Sequence, residues 1–163
     1  MKKGLSLIVF IITIGVVLIL ASTITMSTIK ITTTAKKQQF AKEIYSVQKA
    51  VEKYYYENSK YPYKLDSTTN QNEEIKLTPA TENISQFTDE DMINGTVTLY
   101  PINLQEAGIQ ELSRGINKSS NVNDVYAFSQ KTGRVYYVKG LKIEGDIYYT
   151  LTDELKQKVG LKT

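Results

Sequence analysis

The sequence predicts an α+β fold in which a long N-terminal helix packs on a small C-terminal antiparallel sheet. Three observations predict it: a stretch free of ionisable side chains between Lys3 and Lys30, an apolar stripe of helical period from Phe40 to Tyr55, and two β-rich runs either side of Gln130-Lys131-Thr132-Gly133.

Composition sets the outer bounds. The chain has 163 residues, no Cys and no His, and 20 Lys plus Arg against 17 Asp plus Glu, a net charge of +3. The missing residue types exclude a disulfide scaffold, a Cys nucleophile, a Cys/His zinc site and His-based acid–base chemistry. The charge is too small to argue for nucleic acid, and none is expected as a partner. Lys2 and Lys3 aside, the bases and acids of the polar remainder nearly cancel. The composition is therefore two-part, a greasy N-terminus and a polar domain.

From the N-terminus, Leu5–Met26 holds 16 apolar residues, five Ser or Thr, and Gly15. About 20 apolar residues cross a hydrocarbon core as a helix, and Ser and Thr hydroxyls can bond back to the helix backbone. A transmembrane helix over 5–29 is the expectation, with the C-terminal domain outside the cell. A cleaved secretory signal ending near Ala21-Ser22 and a plain uncleaved anchor are the alternatives. Lys2 and Lys3 before the segment and Lys30, Lys36 and Lys37 after it leave the orientation rule undecided.

The next element is an amphipathic helix over 30–58. Phe40, Ile44, Val47, Val51 and Tyr54 recur at steps of three and four, which is one helical face. Lys42, Glu43, Gln48, Lys49, Glu52 and Lys53 lie between them and read as a solvated face, with Lys49 and Glu52 close enough to pair. Pro62 lies just beyond a polar turn at Glu57-Asn58-Ser59. No Pro or Gly separates this helix from the apolar segment, so one helix from Leu5 to Glu57 is expected, about 80 Å long at 1.5 Å per residue. Its β-branched middle, Ile29-Lys30-Ile31-Thr32-Thr33-Thr34, is its weakest part.

Residues 59–163 are expected to form an α+β head. Residues 64–95 read as polar loop, with Thr88-Asp89-Glu90-Asp91 as a capping box for a turn of helix. Asn94-Gly95 turns the chain into a strand over Thr96–Pro101, and Asn103–Ser113 reads as a short helix carrying Leu104, Ile109 and Leu112. Val125–Ser129 and Arg134–Val138 form a hairpin with Gly133 in its turn. Asp146–Thr150 is a third strand, and Thr152-Asp153-Glu154 opens a last short helix closed by Gly160. The sheet is expected to bury one face against the Phe40–Tyr54 stripe.

Two stretches carry a family resemblance. Met1-Lys2-Lys3-Gly4-Leu5-Ser6-Leu7-Ile8-Val9 is a short basic leader ending in Gly with an apolar run directly behind it. Ala50-Val51-Glu52-Lys53-Tyr54-Tyr55-Tyr56-Glu57-Asn58-Ser59-Lys60-Tyr61-Pro62 ends a helix in aromatics, a polar turn and Tyr-Pro. Together they resemble type IV pilin-like proteins and the pseudopilins of type II secretion and competence systems, and the run from Gly4 to Ile14 looks most like the pilin-like proteins of Clostridium-type Gram-positive bacteria. The resemblance implies a pilin-like fold and a structural role in a cell-surface filament. It also implies cleavage between Gly4 and Leu5 by a prepilin peptidase, with methylation of the new N-terminus. Other pilin-like subunits, the assembly machinery and the membrane are the implied partners, with subunits packing through the helix that carries Ser6, Val9, Thr13 and Gly15. Most pilins carry Glu at the fifth mature residue, where it neutralises a neighbour's N-terminal amine; here that position is Val9. An unpaired buried ammonium is costly. The departure points to a minor or tip subunit, a variant filament subunit, or a protein that never assembles. An uncleaved membrane-anchored binding domain and a secreted protein with a cleaved signal remain the alternatives.

No catalytic site, cofactor or metal is expected. Asp89, Glu90 and Asp91 read as a helix cap, and Asp124, Glu144 and Asp146 as solvated loop acids lacking the spacing of a calcium loop. The twelve tyrosines read as half-buried strand and helix-end residues.

Overall fold

A computed structural model describes residues 32–66, 68–115, 123–158 and 160. The chain forms two compact units, Met1–Lys36 and Lys37–Thr163. Of the first, residues 32–36 are described, and they are helical. The second holds the rest of that helix and every strand among the described residues.

Helix α1 covers residues 32–58. Phe40, Ala41, Ile44, Val47 and Val51 are all buried on one side of it, as a stripe of period 3.6 requires. It stops at Ser59, whose φ of 55° is left-handed; the Ser59 amide bonds back to the Tyr55 carbonyl at 2.8 Å and the Asn58 side chain to the Tyr54 carbonyl at 3.0 Å.

The expected single helix from 5 to 57, apolar in its first half, is corrected here. No helix among the described residues is long and apolar enough to cross a membrane. The reason lies in α1's own residues: Lys36, Lys37, Lys42, Glu43, Lys49, Glu52, Lys53 and Glu57 surround its apolar stripe, so the helix is apolar on one side only. The transmembrane expectation rested on 5–29, which lies outside the described residues.

The sheet is larger than expected and is not confined to the C-terminus. Its strands are β1 (Ile75–Leu77), β2 (Met92–Ile93), β3 (Thr96–Pro101), β4 (Tyr126–Phe128) and β5 (Val135–Tyr137), in the order β1-β3-β4-β5 with β2 also on β3, every pairing antiparallel. Residues 64–95, read as loop, thus supply two strands and a 3-10 helix, Thr81–Gln86. Thr88–Asp91 opens no helix; the Asp91 amide meets the Thr88 carbonyl and hydroxyl in a turn leading into β2. The β2–β3 link is Asn94-Gly95 with φ of 50° and 75°, the two left-handed residues a tight hairpin needs. Residues 104–108 form turns where a helix was expected. Asp146–Thr150 adds no strand to the main sheet: β6 (Leu141–Ile143) and β7 (Asp146–Tyr148) pair as a separate two-stranded sheet. Helix α2 covers Asp153–Lys158, and the Thr152 hydroxyl accepts the Leu155 amide at 3.3 Å as its cap.

The main sheet buries both faces, not one. On the α1 side lie Tyr126 and Phe128 of β4 and Val135 and Tyr137 of β5, in one cluster with Phe40, Ile44, Val47, Val51 and Leu155. On the far side lie Ala127, Tyr136, Val97 and Leu99, covered by Phe87 and Tyr149. Alternation with period two assigns these residues to opposite faces, and double coverage explains why β4 and β5 read as unbroken apolar runs. Each of the large side chains that α1 buries contributes about 1.5–3 kcal/mol by transfer from water.

Candidate functional site

Of the residues expected to dock helix on sheet, Phe40, Ile44, Val47 and Val51 meet in one core, each at most 1% exposed. Tyr54 does not join them. It is half-buried at the margin, and its hydroxyl bonds the Glu106 carboxylate, which with burial pushes the Tyr54 hydroxyl's pKa up. Gly4, Leu5, Ser6, Val9, Thr13 and Gly15 lie outside the described residues.

Three polar residues of α1 turn inward, although the sequence reading left Glu43 and Gln48 on the solvated face. The Gln48 side chain accepts from the Val135 amide at 2.7 Å and donates to the Gly133 carbonyl at 3.0 Å. Glu43 gathers the chain at 113–114: Oε1 accepts the Ser113 and Arg114 amides at 2.6 and 3.0 Å, and Oε2 accepts the Ser113 hydroxyl at 2.8 Å and Arg114 Nη1 at 2.7 Å. Lys37 is buried with its ammonium 3.3 Å from Glu154 and 5.1 Å above the Tyr148 ring. Glu43 and Gln48 flank the apolar stripe, three after Phe40 and four after Ile44, and that flanking position is the one signal available before their partners are known.

Two concavities border this core. One, of about 470 Å³, opens between α1, β5 and α2, with Arg134 and Lys156 among its lining residues. The other, of about 450 Å³, is lined by Tyr63, Ile102, Leu104 and Tyr126. The Tyr126 hydroxyl is buried without a hydrogen-bond partner among the described residues. An aromatic series runs beside it: Tyr55 stacks on Tyr61 at 4.5 Å, Tyr61 meets Phe128 at 4.7 Å, and Tyr63 meets Tyr100 edge-on at 5.4 Å.

The acids divide by environment. Asp91, 4% exposed, accepts from the hydroxyls of Ser129, Thr132 and Tyr136 and thereby holds the β4–β5 turn. Asp124 accepts from the Gly115 amide at 3.0 Å and the Tyr137 hydroxyl at 2.7 Å. Burial opposes its ionisation, but those two bonds and the nearby Lys139 and Arg114 outweigh it and hold its pKa below the ordinary value. Among the described residues no three acids stand together as a metal site would require.

No family model, no curated protein and no solved structure matches this chain.

Proposed function

We propose that this chain is a structural subunit of a type IV pilus-like or pseudopilus filament, released by a prepilin peptidase and held at the cell surface. The observation that carries the reading is the leader Met1-Lys2-Lys3-Gly4 standing directly before the apolar run from Leu5. In support, α1 is bonded to the head by apolar packing and by Glu43, Gln48 and Lys37, so load applied along the chain at its start would pass to the sheet through many contacts. Val9 in the position of the usual Glu favours a minor or tip subunit, where the Leu5 amine need not meet a successor. The role is structural and not enzymatic, with other pilin-like subunits, the assembly machinery and the membrane as partners.

The test is the mature N-terminus of the full chain made alongside a prepilin peptidase. Leu5 is expected, and Gly4→Arg should block the cut because the peptidase must close on backbone beside the scissile bond. A mature chain starting at Met1 overturns the reading in favour of an uncleaved anchor, and one starting near Ser22 in favour of a secreted domain.

A further inference from the structure

The two ends of the main sheet are finished differently. At β5 the Val135 amide donates to Gln48, the Val135 carbonyl accepts the Thr150 hydroxyl at 2.8 Å, and the Tyr137 amide reaches the Tyr149 carbonyl at 2.6 Å. At β1 nothing comparable is present among the described residues. The Ile102 amide donates to the Tyr126 carbonyl on the β4 side at 3.0 Å, and backbone groups alternate between the two edges of a strand, so Leu99 and Val97 turn theirs toward β1. Their register partners Ile75 and Leu77 bond them, and the Glu73 amide keeps to the same side, on the Lys64 carbonyl at 3.1 Å. The amides and carbonyls of Glu74, Lys76 and Thr78 therefore point to the other edge, where they make no hydrogen bond among the described residues.

The side chains along this edge alternate. Ile75 and Leu77 are half-buried against the far-side core, while Glu74 and Lys76 stand on the other face with 44% and 70% of their side chains exposed, Lys76 Nζ lying 3.7 Å from the Glu74 carboxylate. Two copies joined antiparallel about a two-fold axis must set outward-pointing residues opposite one another, so the axis falls on a single residue of the strand. An axis on Glu74 or on Lys76 would set like charges face to face. An axis on Leu77 would set Lys76 against Thr78 and Glu74 against Ala80. An axis on Ile75 sets Glu74 of each copy against Lys76 of the other, twice, at the positions where the two backbones exchange N–H···O bonds. A strand guarded against its own copies carries like charges or Pro where they would meet, and this one carries a self-complementary pair.

We propose that β1 is an interface between two copies of this chain, paired antiparallel with the two-fold axis at Ile75, so that the two main sheets run on as one. The inference does not rest on the filament reading, and its test uses neither peptidase nor assembly machinery.

The chain has no Cys, so a single introduced one reports the register. Full-length variants are held in excess detergent micelles and oxidised mildly. In Ile75→Cys the two substituted Cα atoms lie about 4.5 Å apart across the axis, within the roughly 4.4–6.8 Å that a disulfide spans. In Leu77→Cys they are offset by about 13 Å, at about 3.3 Å per residue, and stay unlinked. Tyr56→Cys, at a residue 89% exposed, controls for chance collision. The expected result is a covalent dimer from Ile75→Cys alone. Adding Lys76→Glu opposes acids at both crossings and should cut the initial yield about fivefold or more, and adding Glu74→Lys as well should restore it. In the unsubstituted chain, where no variant has to fold, the Glu74 and Lys76 amides should exchange hydrogen more slowly as concentration rises, with the Leu77 amide unchanged. The proposal is overturned if Ile75→Cys does not link, if Leu77→Cys or Tyr56→Cys links as readily, if Lys76→Glu leaves the yield unchanged, if the double exchange fails to restore it, or if exchange at Glu74 and Lys76 is independent of concentration.

Discussion

Gln48 completes the outer edge of β5 at Val135. Its amide oxygen takes the Val135 N–H and its amide nitrogen serves the Gly133 carbonyl, the two bonds a further strand would have made. A helix side chain therefore finishes a sheet edge that would otherwise be buried with unmet backbone groups. Replacing it tests how much of the helix–sheet union is polar. Gln48→Ala is expected to cost about 1–3 kcal/mol, the penalty for stranding a buried donor and acceptor, read as a lower urea midpoint at unchanged slope. A variant as stable as the parent would show that water replaces the amide at no cost.

Glu43 and Arg114 are the next joint. With 8% and 17% of their side chains exposed, removing either partner leaves the other charged and poorly hydrated. Glu43→Ala or Arg114→Ala alone is expected to cost about 3–5 kcal/mol, and the double variant clearly less than the sum of the two. A double-mutant cycle by chemical denaturation measures the difference, and strict additivity would mean the pair is not coupled.

Stability should fall at both ends of the pH scale for separate reasons. The Asp124 carboxyl has a lowered pKa in the fold, so its contribution is complete above the ordinary Asp value of about 3.9 and is lost as pH drops through the lower folded value. Tyr126, Tyr136 and Tyr137 shift upward, first through burial, then through the charge of Glu43 and bonds to Asp91 and Asp124 respectively. Their contribution is complete below about pH 10 and is lost as pH rises beyond it toward the folded values. Phenolate absorbance from Tyr126, Tyr136 and Tyr137 should accordingly rise only together with unfolding. A single smooth titration of all tyrosines would contradict this.

Gly140 is held in place by its neighbours as well as by its backbone. It has φ of 69°, and a Cβ there would lie 2.5 Å from Ile147 and 2.9 Å from the Tyr149 ring. Gly145, with φ of 101°, faces open space. Gly145→Ala should cost about 1–3 kcal/mol from backbone strain alone, and Gly140→Ala should cost more, because Ile147 and Tyr149 must also shift. Equal thermal destabilisation of the two variants would mean those side chains yield freely.

How far the residues announced this fold depends on how local each signal is. Phe40, Ile44, Val47 and Val51 repeat within one helix, and the β4–β5 hairpin carries its own turn, so both were readable. β1 was not: it is three residues long, Lys76 separates its two apolar side chains, and its partners in β3 lie 20 to 24 positions on. Glu43 and Gln48 looked like solvent residues because Arg114 and Val135 are 71 and 87 positions away. The core residues on both sides of β4 were visible as apolar, but their division between two faces required knowing that Phe87 and Tyr149 cover the second one.

The same long separations impose an order on how the chain is made. The inner face of α1 is complete once Val51 has been synthesised, yet its cover comes from Tyr126, Val135 and finally Leu155. At about 5–20 residues per second, that apolar stripe waits on the order of ten seconds before its cover is complete. Folding from the N-terminus is thus blocked by topology, and the helix keeps its apolar side open until the later elements exist. The residue that finishes this core, Leu155, is also among the last to be made.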